Sequence, residues 1–174
     1  NTFRSQGKTA GKNTIINYTR YAEESYFCYF LPIFSYKIKS QAQYPKKVYF
    51  TDNSFITGLS LKLSKNIGRL YENTVFLELK RKQSQNLFMD IYYWKNQQNE
   101  EVDFVVKENQ GIKQLIQVCL SVKDIDTKQR EIRSLLKASK EFKCKNLLLI
   151  TEDYEGESEE EWFGIKERIK YIPL

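Results

Sequence analysis

Residues 145–151 read KNLLLIT, and the four apolar side chains from Leu147 to Ile150 stand in a row with no polar residue between them. A strand with this pattern has no face to turn toward water. It belongs in the middle of a sheet covered on both sides. That condition selects a layered architecture in which helices cover a sheet, and the rest of the sequence supplies the parts.

Residues 127–142 carry Ile132, Leu135, Leu136, Ser139 and Phe142 at helical core spacing, with Asp126 as the expected cap. FMDIYYW (88–94), EVDFVV (101–106) and KQLIQVCL (113–120) read as strands by β-propensity. The turns between them are short, so they are expected to form an antiparallel meander. RIKYIPL (168–174) is expected to be a short edge strand ending at Pro173. SKNIGRLYENTVFLELKRK (64–82) is the strongest helix. Ser64 or Asn66 serves as its cap, Ile67, Leu70, Tyr71, Thr74, Val75, Phe76 and Leu79 form its apolar stripe, and Lys80–Lys82 suit its negative end. The acidic stretch 152–161, with seven acids and no base, is expected to be a solvated loop facing away from any polyanion.

Residues 1–50 differ in character. They hold eight Lys and Arg against two Glu, whereas the remaining residues balance 20 against 20. A basic, aromatic front end suits a polyanionic partner or is simply a solvated surface. A phosphate-loop reading of SQGKTAGKN fails, because three residues rather than four separate Gly7 from Gly11 and Asn13 follows Lys12. A turn and a helix capped by Asn13 or Thr14 fit better, with Ile15, Tyr18, Ala22 and Tyr26 on one stripe and Lys12, Asn17 and Arg20 off it. FCYFLPIFSYKIKSQAQYPKKVYFTD then reads as a β-hairpin with Pro32 between its runs. Helix plus hairpin is a winged-helix layout. It would direct Lys12, Asn17, Arg20, Lys37, Lys39, Lys46 and Lys47 at DNA phosphates.

Several classes of chemistry are excluded. The chain contains no histidine, so Ser-His and Cys-His nucleophiles and His-ligated zinc are out. Three widely spaced cysteines argue against a disulfide scaffold and point to a reducing cytoplasm. No apolar run is long enough to span a membrane. The chain starts at Asn rather than Met, and reads as part of a longer one.

The polar residues inside the apolar elements carry the chemistry. Glu72 lies beside the stripe of the 64–82 helix, where a carboxylate is costly unless it is paired or bound to a cation. Arg69, three residues earlier, is one available partner. Asp103 lies within a strand, pointing away from the face shared by Val102, Phe104 and Val106. Gln117 and Cys119 share a face with Leu115 in the next strand, and only the strand register decides whether that face is also Asp103's. The order is a helix with Glu, a hairpin with Asp, a strand with a polar pair, a helix and a buried strand. It resembles the PD-(D/E)XK nuclease fold, with a restriction-endonuclease-like mixed sheet flanked by helices.

The resemblance extends further. GRLYENTVFLELKRK, IYYWKN, EVDFVV, LIQVCLSV, REIRSLLKASKEF and KNLLLIT are similar to the C-terminal domain of a bacterial and archaeal AAA-type ATPase family. NTIINYTRYAEESYFCYFLPIFSYKIKSQAQYPKKVYFTDN is similar to that family's winged-helix segment. The resemblance implies a winged-helix-like segment over 1–50 and a nuclease-like domain over 51–174. It places ATP only on an N-terminal P-loop domain outside this sequence. By the nuclease pattern, Glu72 and Asp103 hold Mg²⁺ or Mn²⁺ with a third ligand at Gln117, and a Lys belongs where Cys119 stands. Gln117 offers one neutral oxygen and Cys119 no cation, although Lys123 is close enough in sequence to substitute. No cofactor is required, and any divalent ion would be weakly held. Three functions follow as expectations. The first is a non-catalytic or weakly catalytic module that binds duplex DNA or a partner such as the ATPase core of its own chain. The second is a Mg²⁺- or Mn²⁺-dependent nuclease using Glu72 and Asp103. The third is a protein-interaction or homo-oligomerisation domain.

Overall fold

A computed structural model describes residues 11–59, 67–120 and 124–174. Gly7, the proposed caps Ser64 and Asn66, and Lys123 lie outside the described residues. The elements run α1 (Lys12–Glu24), β1 (Cys28–Leu31), α2 (Ile38–Gln43), β2 (Lys47–Phe50), α3 (Asn53–Leu59), α4 (Ile67–Gln85), β3 (Met89–Lys95), β4 (Glu101–Glu108), β5 (Gly111–Val118), α5 (Ile125–Phe142), β6 (Leu147–Thr151), β7 (Gly156–Trp162) and β8 (Ile165–Pro173). The fold is mixed α and β: a six-stranded sheet in the order β3-β4-β5-β6-β8-β7, and a separate antiparallel pair β1-β2.

β3, β4 and β5 form the expected antiparallel meander. β5 then crosses through α5 to β6, which pairs parallel with both β5 and β8. The apolar run therefore lies in the interior of the sheet, and its side chains alternate between two cores. Leu147 and Leu149 join Leu135 and Leu136 of α5, together with Val105, Leu115, Ile169 and Tyr171. Ile150 joins the opposite cluster with Val75, Phe76 and Leu79 of α4, and partly buried Leu148 packs against it.

Leu31, Ile33 and Tyr49 belong to that second cluster. The core is thus continuous across residue 50, and the β1-β2 pair packs on the same sheet face as α4. Asn73, 1% exposed, holds the join. Its Oδ1 accepts from the Phe50 amide at 2.8 Å, and its Nδ2 donates to the Phe50 carbonyl and to Asn53 Oδ1, each at 2.9 Å.

Several sequence expectations need correction. β1 and β2 pair antiparallel, but α2 lies between them, so they are not a tight hairpin. Pro32 ends β1, and the following Ile33 bridges to Tyr93 at the edge of β3. The acidic stretch is largely the strand β7, paired with β8 from Gly156 to Trp162. Alternation explains this: Ser158 and Glu160 hydrogen-bond with Tyr171, and partly buried Trp162 packs against the α5-side core, while Glu157, Glu159 and Glu161 face water. β8 is consequently an interior strand rather than the edge.

The caps also differ. α5 begins two residues earlier than expected, with Asp124 accepting from Thr127 as its cap. Gly11 precedes α1, without a side-chain cap. The α1 stripe faces outward: Ile15 and Tyr18 are 42% and 67% exposed.

Candidate functional site: a lysine in a carboxylate cage

Two residues set the site by local irregularity. Along β3 and β4, Tyr92 pairs with Val105 and Trp94 with Val102. Three steps of β4 therefore match two of β3, which is a β-bulge. The extra residue breaks the alternation. Val102 and Val105 share the α5-side core, whereas Phe104 and Val106 share the α4-side core. The expected common face of Val102, Phe104 and Val106 is thereby divided, and the Asp103 side chain reaches the α4 side together with Phe104.

There it meets the helix acid. Lys47 Nζ on β2 donates to Asp103 Oδ1 at 2.8 Å and to Glu72 Oε1 at 2.9 Å, and forms an ion pair with Glu101 Oε1 at 2.7 Å, whose other oxygen pairs with Lys95 at 3.4 Å. The hydroxyl of Tyr49 donates to the same Glu72 oxygen at 2.6 Å. Asp103 Oδ2 accepts from the Val118 amide at 3.0 Å. Glu72 thus pairs with Lys47 and Tyr49 rather than with Arg69, which lines the adjoining cleft.

Three carboxylates surrounding one ammonium shape the local titration. Burial opposes the charge on Lys47, but Asp103, Tyr49, Glu72 and Glu101 outweigh it and hold the ammonium protonated well above the ordinary lysine range. Burial pushes the Asp103 carboxyl up to about 7; Glu72 adds to the rise, while Lys47 and the Val118 amide oppose it. The folded chain therefore binds this proton more tightly than the unfolded chain, whose value is near 3.8. This contribution to stability is largest at acid pH and declines as pH rises from about 4 to about 7. Asp103→Asn, a neutral isostere, is expected to flatten the slope of unfolding free energy over that window. Urea titrations at half-unit pH intervals measure it, and an unchanged slope would show that Asp103 ionises normally.

Gln117 does not join the cage. Its Oε1 accepts from the backbone amide of Asp103 at 3.1 Å, but its Nε2 turns to Glu131 Oε2 on α5 at 2.5 Å. It therefore binds on the opposite side of the sheet from Glu72. Cys119 is buried in the α5-side core, as a small hydrophobe would be.

The nuclease pattern implies Mg²⁺ or Mn²⁺ at this point, and the residues as arranged do not fit one. The position common to the three oxygens is taken by Nζ at 2.7–2.9 Å, whereas Mg²⁺ requires about 2.0–2.1 Å. No group of three or more His, Cys, Asp or Glu among the described residues is disposed to hold a metal ion.

Of the residues assigned to phosphates, Asn17, Arg20, Lys37, Lys39 and Lys46 are exposed. Arg20 pairs with Glu24 at 3.6 Å. The Lys12 side chain lies outside the described residues. Lys47 is engaged in the cage, so its charge is not available to phosphate. Sequence reasoning missed Glu101 and Tyr49. Glu101 had a signal, since it lies two residues before Asp103 in a strand. Tyr49 had none.

The family described as "Domain of unknown function (DUF4143)" matches residues 67–173. An uncharacterized protein of Methanocaldococcus jannaschii, MJ1544, is 39% identical over 151 residues. That match takes in 83% of this chain and 31% of the relative, so the chain spans about a third of the length of the curated relative it matches.

Proposed function

The chain belongs to the DUF4143 family, and from that premise we propose that it is a non-catalytic binding module, the C-terminal part of an AAA-type ATPase, built on a nuclease-like fold whose metal position is filled by its own lysine. One observation supports this above the others: the Lys47 ammonium sits between Glu72 and Asp103, the two carboxylates that hydrolysis would need for a metal. Gln117, the third expected ligand, is bound to Glu131 instead. The length of the archaeal relative agrees with a module attached to a larger chain.

Duplex DNA is the partner that the charge supports best. Arg20, Lys37, Lys39 and Lys46 are exposed, and the first 50 residues carry a net charge of +6. Binding through such residues is electrostatic and releases counterions, so the affinity falls steeply with salt. Fluorescence anisotropy with a labelled duplex is expected to show binding at low ionic strength and a linear decline of log K against log salt. Absence of binding at low salt would remove the DNA reading. Plasmid nicking in Mg²⁺ or Mn²⁺ is expected to be equal for the wild type and Asp103→Ala; nicking that depends on Asp103 would restore the nuclease reading.

A second reading, a protein-interaction surface, is favoured by α1. Ile15, Ile16, Tyr18 and Tyr21 are all 42–67% exposed. Light scattering over a concentration series tests self-association through it.

A further inference from the structure

We infer that the cleft beside Tyr44 takes an unpaired nucleobase, so that the nucleic acid this chain prefers is single-stranded. The inference rests on the nucleic-acid reading above and deepens it, from phosphates held by charge to a base held by a ring. Charge attracts single and double strands alike; the chemistry of this cleft tells them apart.

The cleft has a volume of about 500 Å³, and Tyr44, Pro45, Lys46, Gln97 and Asn99 are among the residues that line it. Tyr44 directly follows α2 and is 52% exposed, so much of its ring is open to stacking. The wall it stands on is fixed, because Tyr93, buried on β3, donates its hydroxyl to the Pro45 carbonyl. Another wall is the turn between β3 and β4. Asn96 Oδ1 accepts from the Gln98 and Glu100 amides at 2.9 and 3.0 Å, and its Nδ2 donates to Glu100 Oε2 at 2.6 Å. The side chain of Asn96 thereby holds the turn in shape. Gln97 and Asn99 are exposed on it, and among the described residues their side-chain amides have no hydrogen-bond partner.

An unpaired base supplies what these groups lack. Its face stacks on an aromatic ring, and its Watson–Crick edge offers donors and acceptors. Each side-chain amide carries both an acceptor oxygen and an N–H donor group, so Gln97 and Asn99 can meet either. In a duplex the faces are covered by neighbouring bases and that edge by the partner strand. The cation left for a phosphate is Lys46, which is exposed and has no carboxylate partner among the described residues. Lys95 pairs with Glu101 at 3.4 Å, and Lys47 is held in the cage. The pattern continues along the chain. Tyr36, 76% exposed, stands just before α2, with exposed Lys37 and Lys39 between it and Tyr44. Aromatic rings interleaved with cations are the means by which single strands are bound without regard to sequence.

The experiment is fluorescence anisotropy at low ionic strength with labelled probes of about 12 nucleotides, within the usual range of single-strand sites. The probes are oligothymidine, oligouridine, an abasic strand that keeps the phosphates without the bases, and a duplex. For the wild type, oligothymidine or oligouridine is expected to bind about tenfold more tightly than the abasic strand, and more tightly than the duplex. The tighter of the two identifies the sugar. Tyr44→Ala is expected to weaken single-strand binding about tenfold and duplex binding by less than about twofold, while Tyr44→Phe, which keeps the ring, stays within about twofold of the wild type. Equal binding of the abasic and base-bearing strands overturns the inference and leaves the duplex reading intact. So does a Tyr44→Ala chain that binds single strands as the wild type does. The abasic comparison uses the wild type alone, so it decides the matter even where a variant fails to fold. Absence of binding to every probe removes the nucleic-acid reading and the inference with it.

Discussion

Lys47→Met is expected to lower the unfolding free energy by about 3 kcal/mol in metal-free buffer. Removing one partner of a buried ion pair typically costs about 3–5 kcal/mol, because the remaining charge is left without compensation. Here Glu72 and Asp103 lose their cation at once, while Glu101 keeps Lys95 at 3.4 Å. Their side chains are 11–30% exposed, and that of Lys47 is 19% exposed. Water therefore recovers part of the loss, which places the effect at the low end of the range. Methionine keeps the length and the apolar stem, so packing against Tyr93 is little changed and the difference reports the charge. In urea, where slopes for small proteins are about 1–3 kcal/mol/M, the midpoint moves down by roughly 1 M or more. A shift corresponding to less than about 1 kcal/mol would mean that the cage is solvated and that Lys47 is dispensable.

Phe104→Ala is expected to cost about 4 kcal/mol, within the usual range of about 3–5 kcal/mol for deleting a buried aromatic ring. Phe104 is 0% exposed. Its ring lies 5.7 Å from that of Tyr49 and 6.3 Å from that of Phe76, which are themselves stacked at 4.2 Å. The residue is therefore the floor on which the β1-β2 pair and α4 meet, one position from Asp103. Loss of the ring opens a void beneath Tyr49, the residue that orients Glu72. Phe104→Leu, which conserves most of the volume, is expected to cost below about 1.5 kcal/mol. Equilibrium unfolding separates the two variants. Equal losses would indicate that the bulge, rather than the ring, governs this part of the fold.

These two residues also show where local sequence carries information and where it does not. The opposing neighbours of β6 were legible from its unbroken apolar run. The meander followed from three strands with short turns, and α5 from its core spacing. The acidic stretch misled because its charges dominate the composition, while only alternate residues face water. A strand needs just one apolar face, and Ser158, Glu160 and Trp162 supply contacts inward. β8 was assigned to the edge for the same reason: its neighbour β7 was read as a loop.

The chain by itself determined the layered α and β architecture, the interior strand and the two acids, Glu72 and Asp103, worth bringing together. Periodicity is a local property, and it records which side of each element avoids water. Only the tertiary structure decided what lies between those acids. A one-residue bulge in β4 set the face of Asp103, and a lysine 25 residues from Glu72 and 56 from Asp103 reached the gap through a long flexible side chain. Neither the bulge nor that reach leaves a periodic trace, because both arise from the packing of separate elements against one another.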